Sequence, residues 1–334
     1  MPSLPQPRGE IGEQLLAELR EPPHKVGMPE IAAAEPLRDE DLNLCLYACY
    51  ELFYRGFDEV DPAWDWEPSL IEFRQLLEQH FERDLRKAVG TAESGPAARE
   101  IDLALREIAE ADDSPSLSHF IEREANVEQL REFMIHRSAY QLKEADPHTW
   151  AIPRLYGGPK AAIVEVQADE YGGGRPERIH AQLFAEAMQA VGLDSTYGAY
   201  LDRIPGVTLA TVNLMSLCGL HRERLGAIVG HLALFEMTSS VPNRRYANGV
   251  RRLGFGEEAT EFFDEHNVAD AVHENIAAVD LAGGLASQQP QLAGDILWGA
   301  RALVALEGEW ARHLLAAWEA DESSLFPAPV GSVL

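Results

Sequence analysis

Apolar positions recur at helical spacing through most of this chain, and the period-two alternation of half-buried strands is scarce. Leu70, Phe73, Leu76, Leu77, Phe81 and Leu85 form one stripe, predicting a helix from Pro68 to about Arg86. The same pattern predicts helices near 10–20, 39–55, 98–111, 115–124, 127–145, 160–170, 176–191, 194–203, 207–217, 220–239, 256–280 and 289–319. In the last of these, Trp298, Leu303, Val304, Leu306 and Leu314 read as core. Breaks are expected at Gly90–Ala97, at Asp146-Pro147 and at Thr238-Ser-Ser-Val-Pro242.

The fold class is therefore all-α, a helical bundle with an N-terminal helical extension. Residues 1–37 carry Pro2, Pro5, Pro7, Pro22, Pro23, Pro29 and Pro36, which predicts an arm wrapping the surface around one short helix. Residues 1–96 then form the arm and extension, expected to cover the core or to make a homodimer contact. Residues 97–334 form the helical core.

Charge narrows the partners. A net charge of −27 over 334 residues repels polyanions, so neither nucleic acid nor an anionic membrane is expected as partner. No run approaches a membrane span, and the N-terminus lacks the basic and apolar regions of a signal peptide, so a cytoplasmic protein is expected. Of the three cysteines, Cys45 and Cys49 stand at i,i+4 among Leu44, Leu46 and Tyr47, which predicts packing rather than chemistry.

The sharpest chemical signal is Glu261-Phe-Phe-Asp-Glu-His266-Asn-Val-Ala-Asp270-Ala-Val-His273. His266, Asp270 and His273 stand at i, i+4 and i+7, along one helix face. Two imidazoles and a carboxylate suit iron or a similar divalent ion; the bland alternative is a polar helix surface. One helix face holds at most half of a two-metal site, and further donors lie upstream. Glu144 is expected to end its helix before Asp146-Pro147. Glu170 and His180 flank Gly172, Gly173 and Gly174. Straight helix would separate those two by about 15 Å, so the glycines are expected to break the helix and let its ends converge. Glu236 sits in the apolar run Gly230-His-Leu-Ala-Leu-Phe-Glu236, where a carboxylate needs a cation or an arginine.

Glu177-Arg-Ile-His180 is one Glu-x-x-His unit, but a ferritin-like bundle needs two and the chain has one. Glu177 follows Pro176 and is assigned to the first turn of a helix, against the macrodipole. His136, His148, His221, His231 and His313 are assigned to packing or surface. Arg244, Arg245 and Tyr246 follow the break at Pro242 and are assigned to a solvated turn ahead of a place lining the pocket.

Over residues 98–320, the ligand order, the His266-x3-Asp270-x2-His273 spacing and the Glu170-Tyr-Gly-Gly-Gly stretch resemble the haem-oxygenase-like di-iron oxidases and oxygenases, the iron-containing redox enzyme family. The resemblance implies a haem-oxygenase-like bundle. Glu144, His180, Glu236, His266, Asp270 and His273 would surround two iron ions, with dioxygen as co-substrate. Glu170 matches an extra carboxylate found in some members, notably amine N-oxygenases. It further implies a small-molecule substrate, an external electron donor and a homodimer. N-oxygenation of an amine or guanidine-type nitrogen is the first expectation, ahead of oxidative cleavage of an amino or fatty acid. A haem-binding protein and a non-catalytic helical scaffold are the rival readings.

Overall fold

The structure, a computed structural model, describes residues 1–327, apart from the side chains of residues 267–272. Its helices are α1 (Glu10–Glu18), α2 (Glu40–Glu51), α3 (Pro68–Val89), α4 (Ile101–Glu110), α5 (Leu117–Arg123), α6 (Val127–Gln141) and the single turn α7 (Asp146–Thr149). They continue with α8 (Gly157–Glu170), α9 (His180–Ala190), α10 (Gly206–Leu220), α11 (Leu225–Arg252), α12 (Glu261–Asn275), α13 (Gly284–Gln288) and α14 (Ala293–Glu319). No strand occurs among the described residues, so the all-α expectation holds. No helix there is long and apolar enough to cross a membrane.

Helix α10 is the axis of the bundle. It is buried on every side from Gly206 to Gly219, as a sequence without one charged residue allows, and α2 and α14 pack on it. The two longest helices, α11 and α14, cross at near backbone contact. A Cβ at Gly230 would stand 1.8 Å from the Ile296 carbonyl oxygen, and one at Gly299 would stand 2.0 Å from that of Ala227. Larger side chains there would force the helices apart.

The N-terminal arm is tied down along its length. Asp41 on α2 accepts from the backbone N–H groups of Ile11 (2.8 Å) and Gly12 (3.0 Å), capping α1 from a neighbouring helix where its own Gly9 offers no side chain. Arg8 donates to the Leu201 and Ile204 carbonyls and to Glu40. Leu15, Leu16 and Leu19 enter the same apolar cluster as α10 and α14, and Cys45 and Cys49 pack within it.

Three expected elements turn out differently. Helix α11 runs straight through Pro242 instead of breaking at Thr238. The proline removes the bond to the Thr238 carbonyl, but Thr238 is exposed and water reaches it, while both flanking halves of α11 are buried. Arg244, Arg245 and Tyr246 therefore lie on a helix, and Tyr246 is buried rather than in a solvated turn. Residues 194–203 form turns, not a helix: Asp194 accepts from the Thr196 N–H, and Gly198 takes φ +77°. Helix α9 begins at His180, so Glu177 sits exposed in a separate 3-10 turn, Pro176–Arg178.

The fourth difference bears on the site. Helix α6 stops at Gln141, and Glu144 lies in the turn beyond it, followed by Ala145 at φ +72°. The extension holds this turn. Lys143, fully buried, donates to Glu51 at 2.8 Å, and Tyr197 donates to both oxygens of the same carboxylate. Arg55 donates to the Leu142 carbonyl at 3.0 Å, satisfying a helix-end oxygen. The Lys143 ammonium also sits over the rings of Tyr47 and Tyr54.

Removing one member of such a pair leaves an uncompensated buried charge. Glu51→Ala is expected to lower stability by about 3–5 kcal/mol in urea unfolding, and Glu51→Leu with Lys143→Met to recover most of the loss. A single-variant loss below about 1 kcal/mol would place the pair in surface-like solvation.

Candidate metal centre

Five segments deliver the cluster. Glu144 comes from the turn after α6, Glu170 is the last residue of α8, His180 the first of α9, Glu236 lies midway along α11, and His266 and His273 lie on α12. Asp270 lies outside the described residues. Glu144, Glu170, His180 and His266 present ligand atoms that all lie within 4.8 Å of one another, and so do Glu170, Glu236 and His273. Glu170 belongs to both groups. The sequence expectation gave it an accessory place beside one ion; the structure sets it between the two sets.

The glycine run makes this possible. Gly172, Gly173 and Gly174 all take positive φ, so the chain reverses between α8 and α9 and brings His180 Nδ1 to 2.8 Å from Glu170 Oε2. At Gly172 the turn also passes close to the return strand of chain: a Cβ there would meet the Arg178 carbonyl carbon at 2.6 Å. On the other side, α12 continues through a π-helical stretch, Ile276–Gly283, which packs against α8 and α11. That packing seats His273 between Glu236 on α11 and the end of α8.

Each histidine on α12 is oriented by a bond from its far nitrogen. His266 donates from Nδ1 to the Phe262 carbonyl at 2.7 Å, which turns Nε2 toward Glu144 Oε1 at 3.5 Å. His273 donates from Nε2 to Asp169 Oδ2 at 2.9 Å, which turns Nδ1 toward Glu236 Oε2 at 3.4 Å. Fixing one nitrogen to select the other is how metal-binding imidazoles are held. Asp169 escaped the sequence reading. Its signal was there: Asp169 and Glu170 place two adjacent carboxylates at a helix C-terminus, the end that disfavours anions.

Charge decides what the cluster can hold. Glu144, Glu170 and Glu236 are each buried to more than nine-tenths, and His266, His180 and His273 lie beside them in turn, at 3.5, 2.8 and 3.4 Å. One Glu144 oxygen is buried without a hydrogen-bond partner. Burial raises the pKa of Glu236. Burial opposes charge on His266 and His273 too, but Glu144 drives the first up to about 10, and Glu236 with Asp169 drives the second up to about 9. His180 goes the other way, to about 4, through burial and the neighbouring His266. In the protein alone, the carboxylates favour a proton on each of His266 and His273 against the cost of burial. A cation of higher charge bound to the same atoms would displace them, and carboxylates with neutral imidazoles are the donor set that iron takes. The residues present fit such a metal.

Two openings reach the cluster. A cavity of about 290 Å³ runs inward from the Asp112–Ser118 loop to Glu144 and His266, between Phe133, Phe184, Phe262 and Phe263. A polar recess of about 210 Å³, lined by Asp169, Gly172, Gly173, Arg175, Arg178 and Glu265, reaches His180. His148 and His231 are not in the cluster. They pair with each other at 3.1 Å, and burial pushes the His148 pKa down to about 3.

The glycine argument is testable by unfolding. At Gly173, φ +59° with nothing within 4 Å, alanine is expected to cost about 1–2 kcal/mol for left-handed backbone alone. Gly172→Ala adds the clash with Arg178 and should cost clearly more; equal losses at the two positions would remove the close approach as the reason for glycine.

Comparison with known protein families matches residues 131–308, more than half of the chain, to a model described as iron-containing redox enzyme. The match begins within α6, ends within α14 and spans every residue of the cluster. No curated protein matches the chain. With its haem-oxygenase-like all-helical fold, the chain belongs to the iron-containing redox enzyme family.

Proposed function

We propose that the cluster holds two iron ions and that the protein uses them with dioxygen to oxygenate a small organic molecule, with an amine-type nitrogen as the preferred target. The observation that carries this is the shared carboxylate: two sets of donor atoms meet at Glu170. Iron, when bound, supplies the electrons and Lewis acidity that dioxygen chemistry requires. Glu144, His180 and His266 would hold one ion, Glu236 and His273 the other, with Asp270 assigned to the second by the resemblance. Asp169 and the Phe262 carbonyl keep the two α12 imidazoles in the tautomers that face inward. The phenylalanine-lined cavity leads the organic molecule to the Glu144 and His266 side and keeps water sparse there. Adding one oxygen atom of dioxygen to an amine, with the other leaving as water, consumes two electrons and two protons beyond the substrate's own. An external reductant is therefore part of the proposal.

A haem reading finds no support in the geometry. The His180 ring centroid lies 4.3 Å from that of His266, and its Nδ1 faces Glu170, so His180 stands among other candidate metal ligands rather than alone as an axial ligand would.

Anaerobic loading with Fe(II), followed by metal analysis, tests the assignment. The parent should retain about two equivalents per chain and His273→Ala about one, whereas Glu170→Ala should retain less than one with helical content unchanged. Full retention by Glu170→Ala would deny it the shared position. Asp169→Asn should weaken iron binding by about 10–100-fold. An iron-loaded parent that consumes no dioxygen would sink the oxygenase reading while leaving the metal site standing.

A further inference from the structure

The two openings to the cluster differ in what passes through them easily, and the smaller one suits a metal ion. Next to His266 the larger cavity is walled by aromatic rings. The Phe262 centroid stands 4.5 Å from that of His266, and Phe184 and Phe263 stand 5.0 and 5.2 Å from Phe262. A hydrated divalent ion moving past those rings sheds water against surfaces that offer no oxygen in exchange. The recess of about 210 Å³ is different: Asp169, Glu265, Arg175 and Arg178 line it, and Gly172 and Gly173 add no side chain to obstruct it.

The recess also borders both donor sets. His180, itself a lining residue, belongs to the set with Glu144 and His266. Asp169, whose side chain is 60% exposed, holds His273 of the other set at 2.9 Å. Glu170 lies 2.8 Å from His180 Nδ1 and is common to both sets, so an ion arriving at His180 stands beside a donor of either position.

Charge in the recess is arranged as a gate. Arg178, in the 3-10 turn before α9, pairs with Glu265, one residue before His266 on α12. Their side chains are 42% and 32% exposed, and an ion pair that open to water is weak and separates readily. While paired, the guanidinium offsets the Glu265 carboxylate and repels a cation. Once separated, Glu265 joins Asp169 as a second carboxylate facing it.

We propose that metal ions reach the cluster through this recess, passing from Asp169 and Glu265 to His180 and Glu170, and that the Arg178–Glu265 ion pair gates the passage. The inference rests on the metal reading of the cluster and adds the path by which the cluster is filled.

Stopped-flow mixing of the metal-free full chain with Co(II), followed by its visible absorption and by metal analysis at the end point, tests the route. Glu265→Lys should slow uptake about ten-fold, Glu265→Gln should slow it less, and Arg178→Gln should speed it. All three should still reach the metal content of the parent. Release to an excess of chelator should slow in Glu265→Lys as uptake does, because the same path is used in both directions; loss of a ligand would speed release instead. Asp112→Lys, at the exposed loop lining the larger cavity, changes the net charge by the same amount and should leave the uptake rate unchanged. Equal slowing by Asp112→Lys and Glu265→Lys would assign the effect to overall charge and overturn the route. Uptake at the parent rate in both Glu265→Gln and Arg178→Gln would overturn the gate. A parent chain that takes up neither Co(II) nor Fe(II) overturns the metal reading and the route together, whereas two equivalents loaded at a rate indifferent to these charges overturns the route alone.

Discussion

Glu144, Glu170 and Glu236 converge in the interior beside three histidines, and the arrangement of the bundle around them follows from that constraint. Like charges gathered in low dielectric repel strongly, and a fold that merely needed packing would have placed apolar side chains there. Holding the carboxylates together takes rigid elements from several directions. Helix α8 ends at Glu170, α9 begins at His180, and α11 carries Glu236 on a face pressed by α12. The dipole geometry adds to the tension: Glu170 sits at the negative end of α8, while His180 at the positive end of α9 is kept neutral. Each of these placements is unfavourable for the protein alone and favourable once a multivalent cation is present.

The N-terminal extension belongs to the same problem. Glu144 is not on a helix, so nothing in α6 itself fixes where its carboxylate points. The turn is fixed from outside, by Glu51 drawing Lys143 one way and Arg55 taking the Leu142 carbonyl. From the other side, Gln167 donates to the Ala145 carbonyl, and Tyr171 donates to Asp146. A residue one step before the site and residues just after it are thus held by α2 and α8. This gives a structural reason for a fully buried acidic residue, Glu51, at the C-terminal end of α2.

The helical class, most elements and the converging residues were legible because they depend on spacing. Apolar stripes set which face is buried, and His266 and His273 share a face by arithmetic. The glycine run could be read for the same reason: only positive φ lets Glu170 and His180 meet. What was not legible depends on tertiary context. Pro242 breaks isolated helices, but here both halves of α11 are buried and the orphaned carbonyl is wet. The end of α6 carries no stop signal before Asp146-Pro147; the buried Lys143, two residues beyond the helix end and paired with Glu51, ends it early. Asp169 carries only the signal of a second carboxylate beside Glu170 at a helix C-terminus, and its bond to His273 is what gives it a role.

The cluster is reached by two openings of opposite character, and this asymmetry has a physical consequence. On the Glu144 and His266 side the walls are phenylalanines, where a hydrogen-bonding group is strengthened by the low dielectric and water is disfavoured. On the His180 side the walls are glycines, Arg175, Arg178 and Glu265, with Arg178 paired to Glu265 across the recess. Asp169 stands on that second side, half in solvent, and is bonded to His273. Solvent at the polar recess is therefore coupled to the cluster through one carboxylate–imidazole bond, while the organic cavity is coupled through Glu144 and His266 directly. The oxidation proposed above would take its substrate from the phenylalanine-lined cavity and its protons from water; it would need both kinds of access kept apart, and the three-glycine turn on one side and the phenylalanine wall on the other would keep them so.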